Sequence, residues 1–143
     1  MSADPDCLFC RIVAGEVPAH FVIDDGPVRA FLDHRPLFPG HTLVVPADHV
    51  EHLNVMPDEL TVPLWDTVRA LSRAMVDVLG AEGSFTATNT VVSQSVPHLH
   101  VHVAPRRRKD GLKGFFWPRT KYASDDEAEA VAEQLRAGLV GQL

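Results

Sequence analysis

The chain has 143 residues, 45% of them hydrophobic, a formal net charge of -6 and two cysteines. That length supports one compact core but not two comfortable domains, so a single domain over residues 1–143 is expected, with its core at about 7–105 and a C-terminal loop and helix at 106–143. The acidic balance excludes a general nucleic-acid binder, which needs a broad basic face; no apolar run approaches the roughly 20 residues of a membrane span, and the polar N-terminus is unlike a signal peptide, so a cytoplasmic protein is expected.

In chain order, Asp6 is placed to cap a short helix carrying Cys7, Phe9, Cys10, Ile12 and Val13, ended by Gly15. Two cysteines spaced Cys7-x-x-Cys10 suit a metal or redox element better than a structural disulfide in a reducing compartment. Phe21-Val22-Ile23 and Val28 to Leu32 flank Asp25-Gly26, a hairpin turn signal. Pro36 and Pro39-Gly40 punctuate a loop before a third strand, His41 to Val45, which Pro46 closes. From Pro63 to Gly80, Leu64, Val68, Leu71, Met75 and Leu79 recur at three and four, the spacing of a helix with one apolar face, and Trp65 is expected to extend that face. Phe85 to Thr88 reads as a fourth strand, and Ser124-Asp125-Asp126-Glu127 is a capping box that opens a last helix to about Leu139. Hairpins with two segregated main helices predict an α+β fold on an antiparallel five-stranded sheet, the histidine segment below supplying the fifth strand.

That segment, His98-Leu99-His100-Val101-His102-Val103-Ala104, alternates three of the eight histidines with apolar residues. In a half-buried strand Leu99, Val101 and Val103 enter the core, while His98, His100 and His102 share the other surface. Neighbouring histidines then have Cα atoms roughly 7 Å apart and the outer two roughly 13 Å apart, so one small ion reaches two adjacent rings but hardly three. A division of labour among the three follows. Just beyond, residues 106–121 hold seven basic residues against Asp110 alone. Such a run is either a solvated loop or, beside the histidines, a funnel for an anionic, phosphorylated substrate.

The histidine segment resembles the defining motif of the histidine triad superfamily of nucleotide hydrolases and transferases. Cys7 to Ala19, Phe31-Leu32-Asp33, Pro39 to His49 and Gln94-Ser95-Val96-Pro97 match further family segments in family order, from residue 7 to about residue 105. The resemblance implies attack on the α-phosphorus of a nucleotide by His100, with the nucleotide held as a phosphoramidate until water arrives; an imidazole, with an unperturbed pKa of about 6.5, suits that role. His102 would stabilise charge on the phosphate oxygens. Gln94 and Ser95 match phosphate-side positions, Asp33 can accept both ribose hydroxyls, and His41 and Asn89 align with positions near the site. Relatives with this N-terminus hold a structural zinc through residues matching Cys7, Cys10, His49 and His98, which would leave His100 and His102 free for phosphate.

An adenosine phosphoramidate or a dinucleoside polyphosphate is the implied substrate, a purine nucleotide with adenine in the first instance, and a homodimer with a joined sheet is the implied assembly. Two other readings stay open: a zinc-stabilised nucleotide-binding or interaction module with little turnover, and, disfavoured by the spacing, a metalloenzyme with His98 and His102 as catalytic ligands. Two features bear on specificity. Thr90-Val91-Val92-Ser93 stands where the family usually has glycine, in a connection that reads as shorter, and the run from Gly111 to Arg119 brings three aromatics that either close over a substrate or pin the loop.

Overall fold

The computed structural model describes residues 3–113 and 119–143, and the chain divides into two compact units, Met1–Asp110 and Gly111–Leu143. In the first unit the elements follow in the order α1 (Leu8–Val13), β1 (Phe21–Ile23), β2 (Val28–Leu32), β3 (Thr42–Pro46), α2 (Thr61–Leu79), β4 (Gly83–Ala87) and β5 (Val101–Arg106). Two short 3-10 turns, Leu53–Val55 and Asp58–Leu60, lead into α2.

The strands form one antiparallel sheet in the order β1-β2-β3-β5-β4, so the fold is α+β and the histidine strand lies one place in from the β4 edge. Glycine sits where backbone handedness demands it: Gly26 turns the β1–β2 hairpin at φ +79°, and Gly80 ends α2 in the left-handed region at φ +69°. Pro63 is tolerated because it lies in the first turn of α2.

One face of the sheet packs on α2. Leu64, Val68, Leu71 and Met75 meet Leu99, Val101 and Val103 in one apolar cluster, each such side chain contributing about 1.5–3 kcal/mol of burial. Trp65 is 40% exposed, so it does not extend the buried face, and Leu79 at 44% lies at that face's end. The other face carries a second cluster of Cys7, Phe9, Cys10, Ile12, Phe31, Leu43 and Val45, centred on α1. Cys7, rather than Asp6, is the N-cap of α1: its sulfur accepts the Cys10 N–H at 3.5 Å.

In the second unit α3 runs Asp125–Leu139 with Ser124 as its N-cap, and the return half of the expected capping box is shifted by one residue. Ser124 Oγ accepts the Glu127 N–H at 3.1 Å while the Glu127 carboxylate accepts the Ala123 N–H. The aromatics Phe115, Phe116 and Trp117 lie outside the described residues. No helix among the described residues is long and apolar enough to cross a membrane.

Candidate functional site

The alternation of the histidine segment is realised, but the face it creates is not open. Leu99, Val101 and Val103 are fully buried against α2, and β5 proper begins at Val101, after His98 and His100. On the opposite side α1 covers the first two histidines: His98 is 0% and His100 5% exposed. The Phe9 ring packs edge-on against both, with centroids 5.9 Å from His98 and 5.0 Å from His100. A half-buried strand is therefore the wrong description of residues 98–100. Both sides are buried, because α1 returns over the sheet.

Burial turns each ring nitrogen into a question of hydrogen bonding, and backbone groups answer it. His100 Nδ1 lies 2.7 Å from the His98 carbonyl oxygen, which can only accept, so the proton of the neutral ring is on Nδ1 and the lone pair is on Nε2. His102 is set the other way by a two-step relay. The Leu37 N–H donates to His41 Nδ1 at 3.0 Å, so His41 is protonated at Nε2, and this N–H donates to His102 Nδ1 at 3.0 Å. His102 then carries its own proton on Nε2. Burial, followed by repulsion from His100 and His41, pushes His102 down to about 4, and burial likewise lowers His41 against the opposing pull of Asp33. Two histidines one pleat apart thus present opposite functions: His100 a lone pair, His102 an N–H.

His100 and His102 line a cleft of about 850 Å³, together with Asp33 and Ser95. Its apolar wall is built by Leu8, Phe9, Ile12, Phe31 and Leu43. The Asp33 carboxylate accepts the Arg35 N–H at 2.9 Å through Oδ1 and keeps 17% side-chain exposure. Four expected site residues, Asp33, Ser95, His100 and His102, thus share one cavity. His41 stands behind His102, with its side chain 5% exposed and both nitrogens engaged, so it acts on the site through His102.

Asn89 and Gln94 do not line the cleft. Gln94 staples the preceding connection, its Oε1 accepting the Val91 N–H at 2.9 Å and its Nε2 donating to the Glu51 carbonyl at 2.7 Å. Asn89 donates to the Ser93 carbonyl at 3.2 Å. In this glycine-free connection Val91 and Ser93 take φ of +67° and +62°, strain that such local hydrogen bonds must hold. Phe9 and Phe31 are cleft residues that the sequence reading left without a role, although Phe9 stands between the two cysteines of the matched N-terminal segment.

The funnel expectation does not survive for the start of the basic run. Arg106 pairs with Asp110 at 2.6 Å, Arg108 pairs with Glu82, and Arg107 donates to the Leu79 carbonyl at the end of α2. None of the three lines the cleft. Their charges serve the far end of β5 and the C-terminus of α2.

A second cluster lies under α1. One donor atom each from Cys7, Cys10, His49 and His98 falls within 4.8 Å of the others, a group that could hold a metal ion. His98 Nδ1 is 3.4 Å from Cys7 Sγ and 3.5 Å from Cys10 Sγ, and His49 Nδ1 is 3.4 Å from Cys10 Sγ. A tetrahedral zinc with Zn–S of about 2.3 Å and Zn–N of about 2.0–2.1 Å spaces S and N by about 3.6 Å, so the donors already stand at coordination spacing. His98 Nε2 donates to the Pro46 carbonyl at 2.9 Å, which leaves its Nδ1 lone pair for the ion. Burial raises Cys10 to about 11 and lowers His98 to about 4, so His98 is neutral, as a ligand must be, and a cation is what would draw the Cys10 proton off. Residues and spacing fit a closed structural site.

The HIT domain family model matches residues 14–109. A Bacillus subtilis relative named Protein hit is 37% identical over 119 residues, which cover 82% of each chain. A Schizosaccharomyces pombe relative named adenosine 5'-monophosphoramidase is 29% identical over 131 residues, covering 90% of this chain and 95% of its own. The crystal structure described as a Zn-bound histidine triad family protein from Mycobacterium smegmatis superposes with a TM-score of 0.72 at 33% identity, over 93% of this chain and 97% of the other. A matched domain model over two thirds of the chain, relatives along most of its length, and a cleft lined by His100 and His102 of the His98-x-His100-x-His102 segment lead to one conclusion: the chain belongs to the HIT-domain, or histidine triad, family.

Proposed function

We propose that this protein is a nucleotide hydrolase or nucleotidyl transferase that acts at the α-phosphate through a covalent nucleotidyl-His100 intermediate, on an adenosine phosphoramidate or a dinucleoside polyphosphate. The observation that carries the reading is the opposite proton placement on His100 and His102 in one cleft. His100 Nε2 attacks the α-phosphorus, an N–P bond forms, and the bond to the leaving group breaks with its electron pair, the leaving group taking a proton from solvent. The imidazole becomes cationic as it is phosphorylated, and the Nδ1–H bond to the His98 carbonyl strengthens with that charge. The His102 Nε2–H stabilises charge on the phosphoryl oxygens without a proton-transfer step of its own. Water then displaces His100 from phosphorus and releases the nucleotide.

The remaining lining supports a nucleoside. Phe9 and Phe31, with ring centroids 5.4 Å apart, belong to an apolar wall suited to a base, for which we propose adenine. Asp33 receives the ribose hydroxyls, and Ser95, whose hydroxyl makes no hydrogen bond among the described residues, donates to the phosphate or the leaving group. Zinc held by Cys7, Cys10, His49 and His98 would stabilise the fold, because four protein ligands leave no open coordination position. The free thiols of these cysteines suit a reducing compartment, and we place the protein in the cytoplasm. A homodimer joined along the β4 edge would cover backbone that the monomer leaves unpaired.

The test is AMP release from an adenosine phosphoramidate and a diadenosine polyphosphate, with mass spectrometry of the quenched protein. Wild type should turn over at least one substrate and show an AMP adduct on His100, and folded His100→Ala should do neither. Wild type that binds AMP and cleaves neither substrate would overturn the enzyme reading in favour of a binding module.

A further inference from the structure

We infer that the Cys7/Cys10/His49/His98 centre and the nucleotide cleft are energetically coupled through α1, so that metal and nucleotide each tighten the binding of the other. The inference rests on the nucleotide reading of the cleft. Helix α1 has only six residues, Leu8–Val13, and no acidic residue in its first turn; helices this short are unstable on their own, so its order must come from what anchors it. Its anchors are of two kinds, the apolar side chains of Phe9 and Ile12 packed on Phe31 and Leu43, and the two thiols, which alone can answer to a metal. Cys7 is the N-cap and Cys10 lies one turn on, and both point at His98.

The same turn of helix builds the cleft. Leu8, Phe9 and Ile12 alternate with the cysteines and line the cavity, and Val17, Pro18 and Ala19, which follow α1, extend that wall. A second route runs through His98. Its ring offers Nδ1 to the sulfurs, while its carbonyl takes the Nδ1–H of His100 at 2.7 Å and so sets the lone pair of the nucleophile. Metal loss therefore loosens one wall of the cleft and the group that orients His100, and nucleotide binding must then meet the cost of ordering both. A loaded centre has met that cost beforehand. By linkage the gain is reciprocal, and couplings of this kind commonly amount to about fivefold to 150-fold in affinity.

The experiment titrates AMP into zinc-loaded and chelator-stripped protein by calorimetry, with circular dichroism as the check on folding. Stripping should weaken AMP binding about tenfold, and saturating AMP should raise zinc affinity, measured by chelator competition, by the same factor. Equal AMP affinity in folded protein with and without zinc overturns the coupling. Where stripping also unfolds the sheet, the rate at which a chelator removes zinc from the loaded, folded protein decides. Because affinity differences at one site fall mostly in the dissociation rate, saturating AMP should slow zinc removal severalfold, and an unchanged rate overturns the inference. Loaded protein that binds no AMP at all overturns the nucleotide reading and this inference with it.

Discussion

Two histidine clusters lie on the same side of the sheet, and they differ in how their donor atoms are engaged. Cys7, Cys10, His49 and His98 converge within 4.8 Å, and so do Asp33, His41 and His102. In the first cluster sulfurs and imidazole nitrogens stand 3.4–3.5 Å apart, a spacing that serves a weak thiol hydrogen bond and equally suits the ligands of one ion. In the second, His41 and His102 are 3.0 Å apart with a backbone N–H assigning the proton between them, while the Asp33 oxygen is 3.8 Å away, beyond a hydrogen bond. The first cluster gathers two thiols and two imidazole nitrogens around one point. The second is a chain of hydrogen bonds that ends at the cleft. Residue type marks the first, which alone of the two holds thiols, and the backbone atoms facing the rings fix the nitrogen roles in both.

The comparison breaks most sharply at His100. On the proposed mechanism His100→Ala removes the nucleophile, and it should lower turnover at least about 10⁴-fold with AMP affinity nearly unchanged. Single-turnover and binding assays together check this. His102→Ala should cost about 10²–10³ in kcat, the usual effect of losing one donor to a developing oxyanion. If the relay sets the His102 proton, His41→Phe should reproduce part of that loss while His41→Gln, which keeps a donor, restores it; the two alike in pH-rate profile would speak against the relay.

On the metal side, Cys10→Ala should destabilise the fold by more than about 3 kcal/mol in urea denaturation of the zinc-loaded protein, and wild type treated with chelator should fall by a similar amount. The smallest effect is on acid stability. His102 is held down to about 4 from an ordinary value of about 6.5, so the unfolded chain binds more protons between these values. The stability this group contributes is present above about 6.5 and lost as pH falls toward about 4. Denaturation at stepped pH should show the decline, and His102→Asn should make it shallower.

Much of this was legible in the residues. The apolar spacing of Leu64, Val68, Leu71 and Met75 marks the core face of α2, the alternation at Leu99, Val101 and Val103 marks its counterpart, and Ser124 with Glu127 marks the start of α3. The candidate metal donors and the histidine pair also stand out by type and spacing. Periodicity says which side of an element a residue takes, but not what covers that side. Nothing local shows that α1 closes over His98 and His100, that Trp65 stays at the surface, or that Arg106 to Arg108 are spent on Asp110, Leu79 and Glu82.

The sequence by itself determined the elements, the α+β class and the residues able to do the chemistry, because those follow from side-chain type and from periods of two and 3.6. Only the tertiary structure decided which histidine holds a lone pair, which offers an N–H and which faces the thiols. The roles of His102 and His98 depend on partners 61 residues away at His41, 52 at Pro46 and 91 at Cys7, which local pattern cannot register until the sheet and α1 bring them within 3.5 Å. That of His100 turns on the His98 carbonyl two residues back, a contact that alternation alone does not reveal.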